Sequence, residues 1–271
     1  MQRNWAIVTV LLTALLYLGI IAWGLHLHHL SLFYPPHPPR HAMAWVAPRH
    51  GNIPPGPQGD NVRRGELLFN ETPHYASKYT SSKVSCSNCH AEGGIQPYAS
   101  PMVGLPALFP MFNQRAGRKI SLQDRVEECF VRSENGKPVD YQGTEMQDIV
   151  AYIQWLSLPQ PDRRPFVGRG LIKLPDLKPD PVHGEQIYKE QCAGCHGSHG
   201  QGRAPLFPPL WGPYSFNDGA GMNNVAKMAA FVKHNMPQNR MGILSAQQAY
   251  DVSAFIHAQP RPVFNQAYQH Y

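Results

Sequence analysis

The string Cys-x-x-Cys-His occurs twice, as CSNCH at Cys86–His90 and CAGCH at Cys192–His196, and nothing else in the chain limits its fold so tightly. A two-residue gap brings both sulfurs near the vinyl groups of one porphyrin and puts the histidine under its metal, the arrangement that attaches haem covalently. A zinc site would need four Cys or His ligands in paired clusters, and each string supplies three. A disulfide inside either string would leave His90 and His196 unused. Two covalently bound c-type haems follow, held by Cys86 and Cys89 and by Cys192 and Cys195, with His90 and His196 as proximal ligands. Each surrounding segment is too short to bury a large core unaided, so the haem is expected at the centre of each fold.

The two segments also resemble each other. RRGELLFNET precedes CSNCH and VHGEQIYKEQ precedes CAGCH, sharing Gly-Glu-x-aliphatic-aromatic at Gly65–Phe69 and Gly184–Tyr188, an internal repeat. Each copy closes on a helical pattern. TEMQDIVAYIQWLS places Met146, Ile149, Val150, Ile153 and Leu156 on one stripe with Thr144 as the expected cap. SAQQAYDVSAFIHAQP pairs Ser245 with Gln248 as a capping box ahead of Ala249, Val252, Phe255 and Ile256. No alternating strand pattern is found. The expected fold is all-α, two cytochrome c-like haem domains in tandem over residues 60–160 and 182–262, joined by a proline-rich linker at 161–181 and followed by a tail at 263–271.

Arg3 precedes an uncharged run from Trp5 to Leu25, about the 20 residues needed to cross a bilayer as a helix. Residues 1–27 read as an N-terminal transmembrane anchor, with a cleaved signal as the alternative, and the rest as exported, on the periplasmic side of the inner membrane. Residues 28–59 are too proline-rich for regular structure and read as an extended tether. Net charge is +6, which favours anionic partners through the overall field. No Lys/Arg-rich run is present, which excludes nucleic acid as a partner.

The second axial ligands distinguish the copies. In the second, Met236 lies 40 residues after His196 in an Asn-Met-Pro setting. A thioether raises the potential and suits an electron-transfer haem. Met241, Met222 and Met228 are competing methionines, and Lys233 is a competing ligand. In the first, the comparable position holds the fifth cysteine, Cys129, with Met102 and Met111 as alternatives. SLQDRVEECFVRS reads as a helix capped by Ser121, with Arg125, Cys129 and Ser133 on one face and Leu122, Val126 and Phe130 on a neighbouring stripe. Cys129 is then either a small buried hydrophobe or a haem ligand. A free thiol in an oxidising compartment and a cation four residues earlier both point to the ligand.

With these residues assembled, the chain resembles the thiosulfate dehydrogenase (tetrathionate synthase) family of dihaem c-type cytochromes. The specific strings are IPPGPQGDNVRRGELLFNET, VSCSNCHAEGG, LQDRVEECFVRSENGKPV, EMQDIVAYIQWLS, PPLWGPYSFNDGAGM and FIHAQPRP. The resemblance implies an oxidoreductase that interconverts thiosulfate and tetrathionate at a first haem ligated by His90 and Cys129. It also implies relay through a second haem, here at His196 and Met236, to an exported or membrane-bound acceptor such as a c-type cytochrome or respiratory complex. By the same resemblance the substrate pocket takes Arg115, Arg125, Ser133, Lys137 and Gln259. Two other readings stay open at this point. One is a sulfur-transferring cytochrome of the thiosulfate-oxidising multienzyme type, and the other is a membrane-tethered dihaem electron carrier without a substrate site.

Overall fold

The computed structural model describes residues 52–158 and 166–271, together with Gly19 and Pro48. Apart from Gly19, the expected membrane helix over residues 5–25 lies outside the described residues, as does most of the tether. Among the described residues, no helix is long and apolar enough to cross a membrane.

Proline at the first helical position, where a missing N–H is harmless and a fixed φ suits the helix, opens helix α1 (Pro57–Asn70), which buries Val62, Leu68 and Phe69. Its start falls inside the stretch expected to be tether. After the CSNCH turn come two short antiparallel strands, β1 (Met111–Asn113) and β2 (Arg118–Ile120), in the register Met111 to Ile120 and Asn113 to Arg118. Helix α2 (Leu122–Arg132) follows, capped reciprocally by Ser121 and Asp124. Helix α3 (Thr144–Leu156) closes the first domain, burying Met146, Ile149, Ile153 and Leu156 on the expected stripe.

The hairpin departs from the expected all-α fold. Strands of three residues are too short to show alternation, and the turn between them is made by a side chain: Asn113 Oδ1 accepts from the N–H groups of Arg115 and Ala116 at 2.9 and 3.1 Å. Gly117, at φ +64°, completes it. Thr144 is also not the cap of α3. Gly143 holds that position without a side-chain cap, and Gln147 Nε2 donates back to Gln142 O at 2.8 Å.

The second domain repeats the plan. Helix α4 (Pro181–Gln191) again opens on proline, and Asp180 Oδ1 accepts from Val182 N and His183 N. Helix α5 (Val225–Asn235) is capped by Asn224, and helix α6 (Ala246–His257) by the expected Ser245–Gln248 box. Among the described residues two main apolar cores result, one built on Phe69, Phe130 and Met146 and the other on Tyr188, Met228 and Val252, with a small third cluster of Ala91, Ala99 and Phe231.

The repeated glycine explains why the copies share a plan. A Cβ on Gly65 would lie 1.9 Å from the carbonyl oxygen of Asp148, and one on Gly184 2.0 Å from that of Asp251. Glycine is therefore what lets α1 cross α3, and α4 cross α6, backbone against backbone. The aspartates at these crossings are buried, 2% and 1% exposed. Each is held by the residue before the glycine: Arg64 Nε donates to Asp148 Oδ2 at 2.7 Å, and His183 Nδ1 lies 2.8 Å from Asp251 Oδ2.

The domains are also joined to each other. Asn217 Nδ2 donates to Val131 O at 2.9 Å, and Phe264 lies under the Arg132 guanidinium, 4.0 Å from ring centroid to carbon. Tyr98 N and Ser100 N donate to Gly168 O and Gly170 O, which lays this part of the linker along the loop bearing Ser100.

Two outcomes are expected. Gly184→Ala should cost about 3 kcal/mol through overpacking, lowering the thermal midpoint followed by circular dichroism by roughly 6–12 °C; an unchanged midpoint would mean the crossing relaxes. Burial alone would raise the pKa of Asp251, but bonds from Asp180 N, His183 and Gln247 outweigh it and hold the carboxyl low. Its contribution is thus present above about pH 4 and is lost as the pH falls through the lower folded-state value. Asp251→Asn should flatten the acid limb of a plot of thermal midpoint against pH.

Candidate haem and substrate sites

Helix α2 places Arg125, Cys129 and Ser133 on one face, as their spacing predicts, and all three line a cavity of about 580 Å³ with Cys89, His90 and Ser100. The stripe Leu122, Val126 and Phe130 packs into the first core. Further lining comes from the linker and the second domain, including Lys173, Met222 and Lys227. A second cavity of about 430 Å³ is lined by Cys192, Cys195, His196 and Met236 among apolar side chains such as Phe207, Phe231 and Ile256. Lys, Arg, Asp and Glu are missing from that second lining, whereas Arg125, Lys173, Asp176 and Lys227 all border the first.

Both histidines are prepared to ligate a metal. His90 Nδ1 lies 2.6 Å from Ser100 O and His196 Nδ1 2.9 Å from Pro208 O. A carbonyl carries no hydrogen, so Nδ1 is the protonated nitrogen and Nε2 keeps its lone pair. Burial holds the pKa of His90 down to about 4, against the Ser100 carbonyl and with the help of Arg125, and burial likewise lowers that of His196. Both rings are therefore neutral. The two volumes lie in the range of cofactor pockets, and no two of the five cysteines are joined in a disulfide. Cys89 opens on both cavities, while Cys86 packs against the first core with Thr72 Oγ1 3.4 Å from its sulfur. The residues present fit a haem at each site.

The Cys129 thiol is pushed up by burial. Arg125 and Arg115 pull it down as expected of nearby cations, and Glu128 and Glu134 push it up, with burial deciding the balance. A thiolate at this position thus needs a stronger positive charge than the arginine four residues earlier, and a bound metal ion supplies one.

Other expected residues sort by position. Met102 is buried in the first core and Met111 is exposed on β1; neither lines the first cavity. In the second domain Met228 and Met222 line the cavity beside Met236, while Met241 is exposed and off it. Lys233 Nζ donates to Gly242 O at 3.0 Å and is off the cavity too. Arg115 is exposed in the hairpin turn, within electrostatic reach of Cys129. Lys137 and Gln259 are not brought to the first cavity. The loop after α2 is pinned by the bond from Lys137 N to Tyr79 O, and Lys137 borders a separate pocket with Tyr79 and Tyr268. Gln259 Nε2 donates to Phe255 O at 3.1 Å, just past α6.

Sequence reasoning missed the carbonyls of Ser100 and Pro208, which any residue type supplies, and Lys173 and Lys227, which only tertiary folding brings to the cavity. It also missed Glu134, 1% exposed, whose carboxyl burial pushes well up although Ser82 Oγ donates to it at 3.3 Å.

Two helical domains, each with a C-x-x-C-H turn, a neutral oriented histidine and a sulfur side chain on one cavity, define a tandem dihaem c-type cytochrome. The family model for the SoxA/TsdA cytochrome c domain matches residues 71–161, and that for cytochrome c matches residues 182–260. A thiosulfate dehydrogenase of Allochromatium vinosum is 38% identical over 234 residues, covering 83% of this chain and 87% of that protein. Another, of Stutzerimonas stutzeri, is 36% identical, with 79% and 72% covered. The solved thiosulfate dehydrogenase (TsdBA) of Marichromatium purpuratum superposes with a TM-score of 0.77 at 32% identity, covering 83% of this chain and 51% of that one, so this chain spans about half of that structure's length. The chain belongs to the thiosulfate dehydrogenase family of dihaem c-type cytochromes, and it carries two covalently bound c-type haems. Replacing Cys192 and Cys195 together by alanine should halve the haem per chain in a pyridine haemochrome assay; full retention would show that the second string is not an attachment site.

Proposed function

We propose that this protein is a thiosulfate dehydrogenase working at the first cavity. Two thiosulfate dianions form one S–S bond, giving one tetrathionate dianion and two electrons with no proton exchanged. The observation that carries this is the convergence of Arg125, Cys129, Ser133 and His90 on one cavity, in a chain of this family.

Electrostatics explains the residue types. Two dianions 4 Å apart repel by roughly 4 kcal/mol in water and by about 16 kcal/mol at the effective dielectric near a protein surface. Fixed cations must offset this. Arg125, with its planar donors, meets the oxyanion groups, the Ser133 hydroxyl donates a further bond, and Arg115 adds charge from the hairpin. Lys173 and Lys227 contribute at the same cavity. His90 and Cys129 would hold the first iron, and His196 and Met236 the second. Haems held there would supply two one-electron centres, enough for the two electrons released per tetrathionate. The second cavity's lack of charged lining residues fits a relay, because it gives anions nothing to bind. Lys137 and Gln259 are left out of this set.

We assign residues 60–160 to the active-site domain and 182–262 to the relay domain, with the linker at 161–181 and the tail at 263–271. The two cytochrome c domains support a periplasmic location. Anchoring by residues 5–25 is proposed from the sequence pattern alone, and an exported or membrane-bound acceptor from the family resemblance.

The test is low-temperature electron paramagnetic resonance of the oxidised holoprotein with thiosulfate turnover measured in parallel. A narrow low-spin signal of thiolate ligation should vanish in Cys129→Met together with most of the turnover. Ordinary methionine or bis-histidine signals at both haems, with no turnover on thiosulfate, would overturn the proposal in favour of an electron carrier.

A further inference from the structure

Glu128 is 2% exposed and has no part in the chemistry above. Its Oε2 accepts from Arg125 Nη1 at 3.0 Å and from Asn113 Nδ2 at 2.9 Å. Asn113 is the residue whose Oδ1 makes the hairpin turn by accepting from Arg115 N and Ala116 N. One carboxylate oxygen thus ties together the cation on α2 and the turn that carries the cation on the hairpin.

We infer that Glu128 is a positioning residue for the anion site: it holds Arg125 directly and, through Asn113, holds the turn bearing Arg115. The inference rests on the reading that sulfur oxyanions bind beside Cys129. An Arg–Glu pair three residues apart on a helix is ordinarily a surface pair of a few tenths of a kcal/mol. Two features set this one apart. The carboxylate is buried, where a charge is costly unless paired, and its second bond leaves the helix for a separate element. Its other oxygen, Oε1, is buried without a hydrogen-bond partner among the described residues, so the group is not optimised for stability.

The charge by itself acts against function, since a carboxylate beside an anion site weakens binding. A role in charge and a role in position therefore differ in sign. Glutamine keeps one oxygen that can accept both bonds but removes the charge. If Glu128 only tunes charge, Glu128→Gln should lower the thiosulfate KM. If it positions the arginines, Glu128→Gln should stay within about threefold of the wild type, whereas Glu128→Ala should raise KM about tenfold, with a smaller change in kcat. Glu128→Asp, one methylene too short to reach both partners, should behave like alanine.

The experiment uses the full-length holoprotein. KM and kcat for thiosulfate are measured together with the thermal shift produced by sulfate, a dianion that does not react. A tenfold rise in KM in Glu128→Ala, a weaker sulfate shift, rescue by glutamine and an unchanged first-haem resonance signal would establish the role. An unchanged KM in Glu128→Ala, or a lowered KM in Glu128→Gln, overturns it. If Glu128→Ala loses haem or fails to fold, Asn113→Ala decides: it leaves the Arg125 pair intact, and its KM should rise about threefold, so an unchanged KM sinks the inference. Wild-type protein that neither turns over thiosulfate nor responds to sulfate would defeat the functional reading itself, and the inference with it.

Discussion

Everything in the two domains hangs from a contact with no side chain in it. At each helix crossing a carbonyl oxygen, of Asp148 or Asp251, occupies the space a Cβ would take on Gly65 or Gly184. Backbones this close bring an aromatic hydroxyl over the segment just past each haem-binding string. Tyr152 Oη donates to Gly93 O at 2.8 Å in the first domain, and Tyr188 Oη to Gly197 O at 2.6 Å in the second. The donor comes from α3 in one copy and α4 in the other, so the two domains fix the same turn from opposite members of the crossing pair. Domains this small gain limited stability from apolar burial. Close packing of two helices and a cofactor in the cavity between loops are what make up the difference.

On this shared frame the copies diverge where chemistry requires it. Cys129 sits inside α2, where helical backbone fixes its direction along with those of Arg125 and Ser133. Met236 stands at the C-cap of α5 in extended backbone, φ −124° and ψ 149°, at the point where the chain leaves the helix. A residue within a helix is registered with its neighbours at i±4, so placing the sulfur there brings an arginine and a hydroxyl to the same cavity at no further cost in ordering. A residue past the helix end has no such company. The distinction between the proposed anion site and the proposed relay site is thus already present in which side of a helix end the sulfur occupies.

Much of this was legible in the sequence because it is local. The C-x-x-C-H strings, the glycine of the repeat, the Ser245–Gln248 box and the face shared by Arg125, Cys129 and Ser133 all follow from spacings within one element. What escaped was of two kinds. The hairpin was too short to carry a period, and its turn depends on the side chain of Asn113. The burial of Glu127, Glu128 and Arg132 on α2 came from partners distant in sequence, such as Asn113 for Glu128 and Phe264 for Arg132. Charges on a helix read as solvent-facing until a second element covers them. Arg115 follows the same logic in reverse: the family resemblance assigned it to the pocket, but its place depends on a turn that the sequence pattern did not reveal.

The junction between the domains then acquires a function of its own. Lys173 and Lys227, from the linker and the second domain, complete the charged lining of a cavity whose sulfur and histidine belong to the first. Cys89 and Met222 line both cavities, so the two sites share a wall one residue deep, and Asn235 Nδ2 helps to hold it by donating to Tyr98 O across the junction at 3.2 Å. Separating the second domain and the linker from the first would therefore remove two of the three cations that line the first cavity and open the shared wall in one motion. On the proposed function, substrate attraction and the path for electrons are not independent; both depend on the contact that seats α5 against the loop between Ala91 and Ser100.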